Sequence, residues 1–422
     1  MSDFGPALAA LLADSHTLAP GQVPAAVDRT ARRLGMTSAT VYLADVQQKL
    51  LVPLTGSPAP GTAAGKAGSG KTNENPAEDW TGADGGARPL AIDATLAGWA
   101  YRTLSRRLAT TPRLTVWLPL VDGIERIGIL RITADQLTAD LLERADALAA
   151  LTALLAISKF ASSDLYSRVT RLRPMTTAAE MVWAFLPPRT IGTRDVTSSA
   201  VLEPAYEIGG DAFDHGLDNG MLHVTVVDAM GHDLASGLSS AIALAGCRAT
   251  RLAGGTLADI AATIDHELDR WLPGRLLTGI FAHLDTTTGD LDWVNCGHPP
   301  PLLVRAHHVV PHALEVRAEL PVGLGHDRTR PYTVHRTRLE PGDRILVHTD
   351  GITETRSRTG ELFGEGRLAD FVTRSLAAGE PAPEALRRLI HTVLDHHQGP
   401  LRDDATLLLV EWHPDAQPPA TS

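Results

Sequence analysis

The chain has 422 residues, 44% of them hydrophobic, with 49 acidic against 38 basic side chains and a net charge of -11. That length calls for two or three domains with ample cores, and the acidic balance disfavours a nucleic-acid partner. Two cysteines, Cys247 and Cys296, give neither a disulfide framework nor a metal-ligand spacing, which fits a reducing cytoplasm.

The N-terminal "MSDFGPALAALLADSHTLAP" lacks the basic region of a signal peptide. The longest apolar stretch, Leu148–Ile157, falls short of a membrane span. A cytoplasmic protein with no membrane partner is the expectation. Residues 22–50 read as an amphipathic helix, with Ala25, Val27, Ala31 and Leu34 on its apolar face, followed by the strand "ATVYLAD". A long Gly-, Ala- and Pro-rich loop comes next. "LAGWAYRTL" then reads as a helix, and "RLTVWLPLVDGIERIGILRI" as two strands joined at Asp122-Gly123.

The long loop contains "GKAGSGKT" at residues 65–72, a full match to the phosphate-cradling pattern G-x-x-x-x-G-K-[ST]. That loop works only between a buried strand and the start of a helix. Upstream stands "TGSPAPGTAA", with two prolines and no β-branched run, and downstream "NENPAEDW" brings Pro76 into the first turns. Both flanks are wrong, so the match is discarded as a nucleotide site and a P-loop ATPase with it.

Residues 137–187 carry apolar residues at three- and four-residue steps, with a second helical piece, "TTAAEMVWAFLP", ending at Pro187-Pro188. They are expected to form a helical linker, a rigid connector or dimer seam, over 137–189. From about Thr190 short strands alternate with Gly-rich turns: "TSSAVLEP", "MLHVTVVD", "TGIFAHLDTTTGDLDWVNC", "PPLLVR", "DRILVHTDG" and "ATLLLVEW". Helices "LASGLSSAIALAGCRATRL" and "TLADIAATIDHELDRWL" interrupt them. The pattern is α+β, with antiparallel sheets. The domain plan is 1–136, the linker 137–189, a second domain 190–412 and a disordered tail 413–422.

Acidic residues punctuate the second half: Asp211 and Asp214 in "EIGGDAFD", Asp228 in "VVDAMGHD", Asp350 in "VHTDG", and Asp403 and Asp404 in "RDDAT". Asp228 and Asp350 end apolar strands, and Asp403 and Asp404 precede one, so the carboxylates should meet at one rim of a sheet. Taken singly, each could cap a helix or close a turn. Together they repel unless cations lie between them, and oxygen ligands of this kind suit Mg²⁺ or Mn²⁺.

The segment from about residue 190 to 411 resembles the metal-dependent PPM serine/threonine phosphatases, within them the bacterial SpoIIE/RsbU-type branch. The residues that carry the match are "LPP" at 186–188, "GGDAFD" at 209–214, "VVDAMGH" at 226–232, "NCGHPPPLL" at 295–303, "LPVGLG" at 320–325, "LEPGDRILVHTDGITE" at 339–354, "FGEGRL" at 363–368 and "RDDAT" at 402–406. The resemblance implies two stacked antiparallel sheets flanked by helices, with two metal ions, Mn²⁺ or Mg²⁺, at one edge. It implies that Asp228 bridges the ions, that the Ala229 carbonyl adds a ligand, and that Asp350 and Asp403 hold the second ion. Asp211 would act on the first ion or through water, and Asp404 would support the ligands from behind. A metal-activated water would attack phosphorus with no protein nucleophile. His232 is a candidate proton donor, set against a structural role in its Gly-His turn, and His298 is expected to order its loop. Two departures from the branch are Asp233, where Gly is frequent, and Ala212, where a larger residue is.

Residues 1–135 resemble a GAF domain through "AAVDRTARRLGMTSATVYLAD" and "VWLPLVDGIERIGILRI". They are either a sensor or a structural, dimerising unit without a ligand. The phosphatase resemblance implies a phosphorylated protein substrate, an anti-sigma-factor antagonist in a partner-switching pathway, and a homodimer through the helical linker. The alternative is a catalytically inactive signalling adaptor on the same fold.

Overall fold

The computed structural model describes residues 4–55, 87–160, 163–207, 209–324, 330–399, 401 and 403–414. The Gly-Lys stretch at 65–72 and tail residues 415–422 lie outside the described residues. The chain divides into two compact units, Met1–Arg173 and Pro174–Ser422.

The first unit runs α1 (Phe4–Ser15), α2 (Val23–Arg33), β1 (Ser38–Ala44), β2 (Leu50–Pro53), β3 (Leu90–Ala91), α3 (Leu96–Thr103), β4 (Arg107–Ala109), β5 (Thr115–Asp122), β6 (Glu125–Thr133), α4 (Ala139–Phe160) and α5 (Asp164–Thr170). Its antiparallel sheet has the order β3-β2-β1-β6-β5-β4. Strict alternation in β5 sends Val116, Leu118 and Leu120 to the face covered by α1, α2 and α4. The opposite face, with Tyr42 and Ile129, packs on Ala97, Ala100 and Tyr101 of α3.

The segment expected as a helical connector in two pieces holds three helices, and they are divided between the two units. The apolar steps of α4 are spent inside the first unit: Ala145, Leu148, Ala149, Ala153, Leu155 and Ala156 are buried in its core. Its exposed stripe, Glu143, Asp146, Ala150, Leu154 and Ser158, holds a single leucine. The piece "TTAAEMVWAFLP" contains α6 (Thr177–Phe185), which belongs to the second unit and buries Ala179 and Val182 there. No single helix among the described residues is long and apolar enough to cross a membrane.

The second unit continues β7 (Thr190–Gly192), β8 (Val196–Glu203), β9 (Asp211–Asp218), β10 (Met221–Ala229), α7 (Leu234–Leu252), α8 (Leu257–Trp271), β11 (Leu277–Asp285), β12 (Asp290–Cys296), β13 (Leu302–Arg305), β14 (His308–Val310), β15 (His335–Arg338), β16 (Arg344–His348), α9 (Asp350–Thr353), α10 (Gly364–Ala377), α11 (Ala382–His397) and β17 (Ala405–Trp412). Two antiparallel sheets, β15-β12-β11-β10-β9 and β14-β13-β16-β17-β8-β7, stack face to face. Leu222, Val224, Ile280 and Trp293 meet Ile345, Val347, Leu408 and Val410 between them. Full burial of each such side chain contributes about 1.5–3 kcal/mol. Outside, α7 and α8 cover the first sheet through Leu244, Cys247 and Ile264, and α10 and α11 cover the second through Leu368, Leu386 and Ile390. This is the α+β sandwich expected from the sequence.

Local chemistry explains where the elements begin. Asp233, the departure from the family pattern, caps α7 by accepting from Ser236 N–H at 2.8 Å. Thr256 and Asp259 form a reciprocal capping box on α8. The β9–β10 hairpin turns on Asn219-Gly220, both at positive φ (48° and 78°), the requirement of a type I′ turn. That turn sets the register of the ladder above it.

Candidate functional site

Counting equally from the Asn219-Gly220 turn along both strands brings Asp211 directly opposite Asp228. Asp228 is the penultimate residue of β10, and Asp350 is the first residue of α9, just past the end of β16. Asp403 and Asp404 lead into β17, which pairs with both β16 and β8. The sandwich therefore draws these acidic segments to one edge.

Asp211 is 1% exposed, and its Oδ2 accepts from the hydroxyls of Thr349 (2.8 Å) and Thr406 (2.7 Å). Thr349 Oγ1 in turn accepts from Thr406 N–H at 2.9 Å. Burial, followed by the charges of Asp228 and Asp404, pushes the Asp211 carboxyl well above its usual range. Burial, then Asp350, Asp403 and Asp404, pushes Asp228 up to about 7. Asp350 is also raised, by burial and by Asp403 and Glu354. Each carboxylate here feels its neighbours as like charges.

Asp404 plays a different part. Its Oδ2 accepts three backbone N–H groups, from Gly209 (2.8 Å), Gly210 (2.6 Å) and Asp211 (3.1 Å). Burial still outweighs these bonds and raises its pKa. Asp404 thus clamps the strand entry that carries Asp211. Ser236 Oγ donates to Gly209 O at 3.1 Å and Ser240 Oγ to Gly210 O, tying the same turn to α7. Asp403 is exposed and accepts from Asp404 N–H at 3.0 Å. Ala229 is buried, and its N–H donates to Gly210 O at 3.2 Å.

Gly351 shows how closely the segments approach. A Cβ there would lie 1.8 Å from the Asp404 carbonyl oxygen, so only glycine allows α9 to start against the 403–404 turn.

Asp214 does not join the cluster. It is 2% exposed and paired with Arg248 (2.6 Å) and Arg251 (3.2 Å) of α7. The sequence reading missed these partners because they stand 34 and 37 residues downstream. His232 is exposed on the loop after Ala229. His298 is buried, with Nδ1 2.9 Å from Thr278 Oγ1 and its backbone locked to Asn295 in both directions. Burial drives its imidazole down to about 3, so it is neutral. The cysteines are buried and not disulfide-bonded, and burial lifts the Cys247 thiol to about 12.

The donors are the hard oxygens that divalent cations favour, and no basic side chain figures among the causes of the Asp228 and Asp350 shifts. Among the described residues, no three His, Cys, Asp or Glu side chains are gathered closely enough to hold a metal ion as they stand. The chemistry of the donor set fits, and its spacing is open.

Residues 218–413 match the family model described as Stage II sporulation protein E (SpoIIE). Most of the second unit is therefore similar to the SpoIIE family over those residues. The chain is 29% identical to Protein IcfG of Synechocystis sp. over 134 residues, 32% of this chain and 20% of that protein. It is 20% identical to Phosphoserine phosphatase RsbU of Bacillus subtilis over 212 residues, 50% of this chain and 62% of that protein. It thus spans less than two thirds of either relative. Among solved structures, the SiaA-PP2C domain of Pseudomonas aeruginosa is similar at a TM-score of 0.48 and 22% identity, covering 56% of this chain and 94% of that one.

Proposed function

We propose that the second unit is a metal-dependent protein phosphatase that hydrolyses phosphoserine or phosphothreonine on a regulatory protein of the anti-sigma-factor-antagonist kind. The observation that carries this reading is the convergence of Asp211, Asp228, Asp350 and Asp403 on one sandwich edge, where burial and neighbouring carboxylates raise the pKa of Asp211, Asp228 and Asp350. In this reading Asp228, Asp350, Asp403 and the Ala229 carbonyl would hold two Mn²⁺ or Mg²⁺ ions. Such ions supply a water of lowered pKa and neutralise charge on the phosphoryl oxygens.

The chain's own contribution is positioning. Thr349 and Thr406 orient Asp211, and Asp404 holds the turn before it, so the ladder keeps Asp211 facing Asp228. Cys247, buried with a raised pKa, is no thiolate nucleophile, in keeping with attack by water. His232, exposed beyond Ala229, is the candidate for protonating a leaving alkoxide, set against a structural role in its turn; buried, neutral His298 serves its loop.

The first unit fits a GAF-like regulatory role, and Gln48, Tyr101 and Arg126 form a buried polar network on its α3 face. Pairing of two copies along 137–189 would have the exposed stripe of α4 around Leu154 to use, with Leu172 and Phe185 exposed farther along. The second reading is an inactive adaptor, favoured by one observation, the open spacing of the carboxylates. Hydrolysis of p-nitrophenyl phosphate across a manganese titration separates the two. Turnover that needs metal and vanishes in Asp228→Asn supports the phosphatase, and its absence in the wild type leaves the adaptor.

A further inference from the structure

Beside the carboxylate edge lies a cleft of about 550 Å³ whose wall runs from Gly351 and Asp403 along the 354–360 loop to the C-terminal end of α11 at His397. Two guanidiniums, Arg356 and Arg358, line it, with the carboxylates of Glu354 and Asp403 at the end nearest the acidic edge. Each donates to one backbone carbonyl, Arg356 Nη1 to Gly360 at 3.1 Å and Arg358 Nη2 to Gln398 at 3.1 Å. Among the described residues neither has a carboxylate partner, whereas arginines such as Arg248, Arg305, Arg344 and Arg387 are each paired with one. Their loop is braced. Ser357 N–H donates to Glu361 O at 2.8 Å, Arg356 bridges to Leu362, and His397 Nδ1 lies 2.8 Å from Arg356 O. Backbone on both sides thus holds two planar cationic forks, which retain most of their N–H groups for an anionic ligand.

A protein chain presenting a phosphoryl group at Asp228, Asp350 and Asp403 must leave that point in some direction. Asp403 borders both the carboxylate edge and the cleft. We infer that this cleft receives the stretch of substrate chain flanking the phosphorylated residue, and that Arg356 and Arg358 select stretches carrying Asp or Glu there. This rests on the phosphatase reading above and adds what the unit recognises beyond the phosphoryl group. The recognition is electrostatic and needs no change in the chemistry at the metal-facing carboxylates.

The probes are two nine-residue phosphoserine peptides, alike except that the residues flanking the phosphoserine are glutamates in one and lysines in the other. Both are measured by phosphate release with manganese and by fluorescence anisotropy, which needs no turnover. The wild type should bind and cleave the glutamate peptide with a KM about tenfold below that of the lysine peptide, the scale of two exposed ion pairs. In R356E/R358E the preference should invert, and in R356K/R358K it should persist. Because each comparison is made within one protein, partial loss of folded material does not alter the ratio. Equal KM and equal binding for both peptides in the wild type, or an unchanged preference in R356E/R358E, would overturn the proposal. Charge-ranked binding without phosphate release would uphold the cleft and sink the phosphatase reading instead.

Discussion

Asp211 and Asp228 face each other across an antiparallel ladder although both are carboxylates shifted toward protonation. Placing like charges opposite one another destabilises a sheet, so the pair marks a position where the fold gives up stability. The cost depends on pH, and it is this dependence that makes the pair measurable.

Burial and neighbouring charges raise Asp228 from 3.8 to about 7, so the metal-free folded protein retains a proton there that the unfolded chain has released. The stability this contributes is full below about pH 4 and is lost as pH rises through about 7. Asp228→Asn removes the effect. In EDTA, the melting temperature of the variant relative to the wild type should rise by several degrees between pH 5 and pH 8. Millimolar Mn²⁺ at pH 7.5 should stabilise the wild type and hardly move the variant. A pH-independent gap between them would contradict the assignment.

Asp404→Ala strands three buried N–H groups of the 209–211 turn. The expected loss is about 3 kcal/mol in urea unfolding, with Asp404→Asn, which keeps an acceptor, nearer 1 kcal/mol. Both variants should lose phosphatase turnover more than a hundredfold, because the turn carries Asp211. If Asp404→Ala unfolds at the wild-type midpoint, the clamp is dispensable.

Gly351→Ala places a methyl 1.8 Å from the Asp404 carbonyl oxygen. The displaced segment should cost about 1–3 kcal/mol and reduce activity at least tenfold. Gly366→Ala, on α10 with nothing within 4 Å of the new Cβ, is the matched control and should stabilise by about 0.5–1 kcal/mol. Calorimetry on the pair reads the difference directly.

Leu151→Pro should act inside the first unit, because α4 packs into that unit's own core. A proline in mid-helix costs about 3 kcal/mol or more. Differential scanning calorimetry should show the transition of the first unit lowered and that of the 174–422 unit unmoved. An equal shift of both would mean that the helix supports the two cores alike.

What was legible in the sequence is what local pattern encodes. The helix from Leu234 to Leu252 and the strands ending near Asp228 and Cys296 lie where periodicity put them, since each buries one continuous apolar face. The β9 strand was not legible, because "DAFDHGLD" reads as polar. It is a buried strand because Asp214 is neutralised by Arg248 and Arg251, and Asp211 by two threonines. Thr349 and Thr406 stand inside quoted motifs, but their contact with Asp211 was not legible; they reach it across 138 and 195 positions. The helical run 137–187 misled in the opposite sense, for apolar periodicity says that a helix face is covered without saying by what. Surface arginines such as Arg356 follow no period, and only the folded loop makes them neighbours of Asp403.

The last described strand, Ala405–Trp412, is not at a margin of its sheet but between β8 and β16. It delivers Asp404 to the turn at Gly209 and Thr406 to Asp211. A ribosome must therefore have released residue 412 before the centre of that sheet can close or the acidic edge can take shape. Shorter nascent lengths hold β9 and β10 without the clamp that aligns them, so the acidic edge would take shape late in the life of each new molecule.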